Sequence, residues 1–143
     1  MSNNLTNNSR VKVKVKKGSK SVSSRRWLER QLNDPYVVAA KVDGYRSRSA
    51  YKLLDLNDKF KFLKKGKTVI DLGAAPGGWS QVATKIIGLP KTGKLVSVDI
   101  QDMIPIEGVS FIKGSIMDEE IIEIIQKELE CQADIVLSDM APS

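Results

Sequence analysis

The stretch "TVIDLGAAPGGWSQVATKIIG", residues 68–88, constrains the fold of this chain most. A short apolar run rich in β-branched residues ends in glycine, as a buried strand does. A bend of very small residues follows. Then apolar positions recur at helical spacing up to Gly88. A strand that turns through small residues straight into a helix is half of a βαβ unit. The same texture repeats downstream. "KLVSVDI" and "VSFIKG" read as two further strands, "DEEIIEIIQKELE" as an amphipathic helix with acids in its first turn, and "ADIVLSD" as a fourth strand. Continuous apolar strands alternating with helices specify an α/β fold, a parallel sheet with helices on both faces.

The residues before Lys67 are of another kind. Up to Gly66 there are 17 Lys/Arg against 5 Asp/Glu; from Lys67 there are 6 against 12. The overall charge of +6 is thus a basic front and an acidic back. A basic front is either a solvated face or a surface for a polyanion, most plausibly nucleic acid. Residues 1–23 are polar and of low complexity and are expected to form a disordered basic arm; "VKVKVKK" within it has a strand-like period. Residues 24–66 are expected to be a basic helical region facing RNA, and 67–143 the sheet domain. Ser24 is placed to cap a helix carrying Trp27, Leu28 and Leu32 that stops at Asp34-Pro35. "YVVAAKV" continues as a second helix to Gly44. In the third, Leu53, Leu56, Phe60 and Leu63 share a face and Gly66 stands at the C-terminal cap position.

Composition removes several chemistries. The chain has no histidine and one cysteine, Cys131. A Cys/His zinc cluster, an intramolecular disulfide and a Ser-His or Cys-His nucleophile are all excluded within it, and no metal site is expected. No apolar run approaches a membrane span, so no membrane partner is expected. The unpaired cysteine fits a reducing cytoplasm.

The candidate ligand site is the bend "DLGAAPGGWSQ", residues 71–81, beyond the end of the first strand. Open α/β sheets bind ligands there. Gly73, Ala74, Ala75, Gly77 and Gly78 remove side chains and let backbone approach a ligand, and the helix start favours an anionic group. The spacing is not G-x-G-x-x-G, which argues against a nicotinamide dinucleotide, and there is no G-x-x-x-x-G-K-[ST]. Asp99 ends the second strand. Alone, such an acid is more often a turn or helix cap; beside a small-residue bend it is suited to hold both hydroxyls of a ribose.

"GYRSRSAYKLLDL", "DLGAAPGGWSQ", "VDI" and "SDMAPS" together resemble the FtsJ/RrmJ family of ribosomal RNA 2′-O-methyltransferases, from about Ser24 to the last residue. The resemblance implies a Rossmann-like methyltransferase sheet and S-adenosylmethionine as cofactor. It implies transfer of a methyl group to a ribose 2′-hydroxyl of large-subunit rRNA, a uridine for preference, with ribosomal RNA or the large ribosomal subunit as partner. Carried over by position, Gly73, Gly77, Trp79 and Asp99 are cofactor-binding residues. Trp79 has a second reading, packing its helix onto the sheet. Lys52 and Asp139 match two members of the family's catalytic Lys-Asp-Lys-Glu set, and Asp139 also lies toward the cofactor. On pattern alone Lys52 is a surface residue beside an apolar stripe. Lys41, Arg46 and Arg48 are the expected RNA contacts; Tyr45 is a candidate for base stacking and Tyr51 for core packing.

Two departures from the family pattern shape the expectations. Ser115 in "KGSIMD" stands where the family usually has an acid toward the adenine amino group, with Asp118 one turn on, either as compensation or as a helix cap. The second lysine and the glutamate of the catalytic set fall beyond Ser143. The chain is therefore expected to be a sheet truncated after its fourth strand: a fragment, a non-catalytic RNA-binding piece, or half of a split enzyme completed by a second polypeptide.

Overall fold

The computed structural model describes residues 21–140. The expectations for the arm and the last three residues lie outside them. The chain divides into two units between Arg48 and Ser49.

The first unit holds two helices, α1 (Val22–Asn33) and α2 (Pro35–Asp43). Ser21, rather than Ser24, caps α1: its Oγ accepts the Ser24 N–H at 3.2 Å. Asp34 then starts α2, its Oδ1 accepting the N–H of Tyr36 at 2.8 Å and of Val37 at 3.4 Å, with Pro35 in the first turn where no N–H is needed. Gly44 ends α2 at φ 80°, a conformation open to glycine at little cost. Asp34 has a second role: its Oδ2 pairs with the Arg48 guanidinium, which also lies 5.5 Å from the Tyr36 ring centre.

The second unit begins with α3 (Ser49–Phe60). The sequence reading grouped α3 with the basic front, but its own charges cancel, Lys52 and Lys59 against Asp55 and Asp58, and it packs on α4 (Gly78–Ile87). It stops six residues before Gly66. Lys61 takes φ 51°, and the Asn57 side chain accepts the Leu63 N–H at 2.8 Å, so a local side-chain bond turns the chain out of the helix. Leu53 and Leu63 are buried as the stripe predicts, but Phe60 is 63% exposed.

Four parallel strands follow: β1 (Thr68–Leu72), β2 (Lys94–Asp99), β3 (Val109–Lys113) and β4 (Ile135–Ser138), in the order β3-β2-β1-β4. Strand alternation sorts their side chains to two faces. Val96, Val98 and Ile112 form one core with Ile125 and Leu129 of α5 (Glu119–Leu129). Val69, Leu95, Val82 and Ile87 are buried to 1% exposure or less. Each contributes about 1.5–3 kcal/mol by leaving water. α4 packs on β1 and β2, and α5 on β2 and β3. The α/β sheet read from the sequence is present with all four strands. Val136 of β4 is 58% exposed where a fully covered strand was expected. Among the described residues no helix is long and apolar enough to cross a membrane.

Candidate cofactor and catalytic site

The strand order reverses at β1: β2 and β3 lie to one side, β4 to the other. A crevice opens beyond the strand ends at such a reversal, because the connections leave in opposite directions. The register sets Asp71 beside Ser97 and Leu72 beside both Val98 and Ser138. The bend after Leu72, Asp99 and Asp139 therefore emerge from neighbouring strand ends.

The bend is held by β2. Gly73 and Ala74 both donate their N–H to the Val98 carbonyl, at 2.8 and 3.0 Å. Ala75 donates to Asp99 Oδ2 at 2.9 Å, and Asp99 Oδ1 accepts the Gln101 N–H at 2.8 Å. Asp99 is thus a turn-former and a clamp on the bend together, with lone pairs left on each oxygen. The N–H groups of residues 73–75 are spent inside the protein. Further on, Gly77 takes φ 120° and α4 begins with no side-chain cap, both Gly77 and Gly78 being buried. Only glycine adopts that conformation readily.

Gly73 itself stands at φ 71°, and a β-carbon built on it would collide with the Met140 side chain. Met140 comes from the segment after β4, so both neighbours of the reversal are in contact there. Gly73→Ala is expected to lower stability by about 1–2 kcal/mol from backbone strain alone. The exposed Met140 side chain can swing away, so Met140→Ala should not rescue the loss. Urea unfolding of both variants measures this.

Lys52 on α3 and Asp139 after β4 are 87 residues apart in sequence, and their Nζ and Oδ1 lie 2.9 Å apart. Trp79 is buried, and its indole N–H donates to the Ser49 carbonyl at 2.8 Å. It ties the first turn of α4 to the first residue of α3, the helix that carries Lys52. That bond and its burial fit the packing reading of Trp79. Beyond the end of β3, where the Gly114 N–H donates to the Asp99 carbonyl at 2.8 Å, the Ser115 Oγ accepts the Met117 N–H at 3.1 Å and Asp118 caps α5, accepting the Glu120 N–H at 3.0 Å.

Beneath the bend lies a group that the sequence reading passed over. Asp71 is 1% exposed, with Ser80 and Ser97 equally buried. Ser80 Oγ donates to Asp71 Oδ2 at 2.7 Å and lies 2.6 Å from Ser97 Oγ. Since Ser80 has one proton and gives it to Asp71, Ser97 donates to Ser80. Burial pushes the Asp71 carboxyl up to about 6, with Ser80 pulling it back and Asp139 and Asp99 adding to the rise. The available signal was a lone acid inside the apolar run "TVIDL", with a serine in the first turn of the next helix.

Residues 45–143 match the family model for FtsJ-like methyltransferases. The chain belongs to the FtsJ-like methyltransferase family. It is 54% identical over 134 residues to a ribosomal RNA large subunit methyltransferase E of Nitrobacter hamburgensis, covering 92% of this chain and 59% of the relative. It is 51% identical over 142 residues to the protein of that name from Rhodopseudomonas palustris strain BisB5, covering 99% of this chain and 60% of the relative. Among solved structures, a ribosomal RNA methyltransferase of Plasmodium falciparum superposes with a TM-score of 0.57 at 39% identity, over 69% of this chain and 58% of that one. The chain spans about three-fifths of the length of the relatives it matches.

Of the residues expected at an FtsJ-like methyltransferase site, the structure brings Lys52 to Asp139 and Asp99 to the bend at Ala75. The expected RNA contacts are in the first unit. There Lys41 is exposed in the last turn of α2, Arg46 is half-buried, and Arg48 is engaged with Asp34 and Tyr36. Tyr45 is half-buried, and burial, with Asp43, holds its phenol above the usual range.

Proposed function

We propose that this chain carries the cofactor-binding part, and two catalytic residues, of an S-adenosylmethionine-dependent methyltransferase acting on a ribose 2′-hydroxyl of large-subunit rRNA, a uridine for preference, in the cytoplasm. The observation that carries the reading is the 2.9 Å Lys52–Asp139 pair at the strand-order reversal, next to a bend clamped by Asp99. The names of the relatives supply the substrate.

The residues present suit the cofactor. Asp99 keeps acceptor capacity for two sugar hydroxyls after serving Ala75 and Gln101. The uncapped start of α4, with Gly77 before it, favours a carboxylate. S-adenosylmethionine, when bound, supplies an electrophilic methyl on a sulfonium. The chain's own part is to set a weak nucleophile in line and, through a cation beside it, to favour the deprotonated oxygen, whose proton passes to water or to a base outside the Lys52–Asp139 pair. Asp139 holds the Lys52 ammonium by one oxygen, which leaves the cation's other protons free for a 2′-oxygen. Trp79 fixes α3 against α4, so the cation has a rigid base.

The direct test is transfer from S-adenosylmethionine labelled on the methyl group to large-subunit RNA. Expected is label in a dinucleotide that resists alkali, because a methylated 2′-oxygen cannot attack the neighbouring phosphate. Label on a base, or no binding of S-adenosylmethionine by the chain in calorimetry, would overturn the proposal. Lys41 and Arg46 are the residues proposed to meet phosphate. Their double alanine variant is expected to weaken RNA binding and to flatten the slope of log affinity against log salt by about 1.5. Titration at four salt concentrations checks it; an unchanged slope removes both from the RNA path.

A further inference from the structure

α1 carries a surface that none of the roles above uses. At about 100° per residue, Arg26, Arg30, Ser23 and Trp27 fall within roughly 100° of arc on one side of the helix. Leu28 and Leu32 lie on the other side and are half-buried. The one acid of α1, Glu29, projects outside the arc on the far side of Arg26. The Trp27 indole is 54% exposed, although tryptophan is the residue with most to gain from burial. Ser23, Ser24, Leu28 and Arg30 line a shallow groove with it.

An exposed indole with two guanidinium groups along one side of it, neither in an ion pair among the described residues, is poorly suited to an apolar protein partner, because docking there would strip water from two cations. It is well suited to an unpaired nucleotide. The flat ring takes the base, and the cations on one side of it take the adjoining phosphates. The basic balance of the front half adds the same preference. We propose that the Arg26–Trp27–Arg30 face of α1 is a stacking site for an unpaired base of RNA. The proposal rests on the reading that this protein acts on RNA and names a place on it where a single-stranded nucleotide is held.

The experiment uses a 12-nucleotide oligouridylate and an RNA duplex of similar length, with the protein, Trp27→Ala and Trp27→Phe. The other tryptophan of the sequence, Trp79, is buried, so the difference in emission between the protein and Trp27→Phe reports on Trp27. Expected are an acrylamide-accessible Trp27 in free protein and quenching of its emission by oligouridylate. Trp27→Ala should bind oligouridylate roughly five- to hundred-fold more weakly, with Trp27→Phe in between. The salt slope should not change, because no charge is removed, and duplex affinity should stay within about two-fold of the parent. The melting temperature, expected unchanged, confirms that the variants fold.

Three results would overturn the stacking site. One is oligouridylate affinity untouched by Trp27→Ala while affinity still falls with salt, which leaves the RNA reading standing. Another is a blue-shifted Trp27 shielded from acrylamide, which would mean that a protein surface covers it. The third is no affinity for either RNA, which removes the RNA reading together with this one.

Discussion

Lys52→Ala and Asp139→Ala are each expected to lower single-turnover methyl transfer by about 10²- to 10³-fold while moving the melting temperature by no more than a degree or two. The two halves of that expectation have separate causes. The Lys52 side chain is 64% exposed and that of Asp139 30%, so water already solvates much of both charges. Ion pairs of this kind contribute about 0–1 kcal/mol to folding. Stability therefore gives little reason to bring residues 87 apart in sequence to 2.9 Å. The transition state does. For the proposed reaction, a 2′-hydroxyl attacks well only as its proton leaves to water or to a base outside this pair, and a cation fixed in advance stabilises the negative oxygen, whose electron pair then forms the O–CH3 bond as the C–S bond breaks. Because Asp139 acts partly through the position of Lys52, the double variant should lose little more than either single one, far less than the product of the two. A double-mutant cycle at saturating S-adenosylmethionine measures this. Full activity in Lys52→Ala, or losses that multiply, would dissolve the pair as a working unit.

What the sequence made legible was whatever is repeated or local. The four strands and α5 declare themselves by period, and the bend by its small residues. Helix starts were readable in part, because a cap acts on N–H groups two or three residues away, although α1 starts from Ser21 and not Ser24. Asp34-Pro35 states the start of α2, and Asp118 with two glutamates states that of α5. The end of α3 was not readable. Its apolar stripe runs on to Leu63, and only the Asn57 side chain bonding the Leu63 N–H, with Lys61 at positive φ, decides that the helix stops at Phe60. The site divides the same way. Asp99 and the bend stand 24 residues apart as consecutive strand ends, a relation that the βαβ order fixes. Lys52 and Asp139 meet only through the packing of α3 on α4 and of β4 on β1, so no local pattern points to either; resemblance to a family did. Asp71, Ser80 and Ser97 stayed hidden because each residue, taken singly, is an ordinary member of its strand or helix.

That hidden cluster yields the other large effect. Ser80→Ala should cost about 3 kcal/mol of stability at pH 7.5 and clearly less at pH 5. Ser80 gives the buried Asp71 carboxylate a charge-assisted hydrogen bond, and an alanine there leaves the charge with neither water nor that donor. The pH dependence follows from the raised carboxyl. Asp71 ionises near 6 in the folded protein, against 3.8 for the ordinary group. Between those values the folded state binds more protons than the unfolded state. Stability contributed by Asp71 is then full below about pH 4 and is lost as pH rises through 6, by about 3 kcal/mol for a shift of two units. Most aspartates, whose carboxyls are lowered by folding, give the opposite slope. At pH 5 Asp71 is mostly protonated and has a weaker need of Ser80, so the alanine variant loses less there. Asp71→Asn should remove this downward slope altogether, since the amide does not titrate. Urea unfolding of the three proteins at pH 5, 6 and 7.5 decides it. An equal penalty for Ser80→Ala at all three, or a slope that persists in Asp71→Asn, would mean that the carboxyl is not held near 6 by its burial beneath α4.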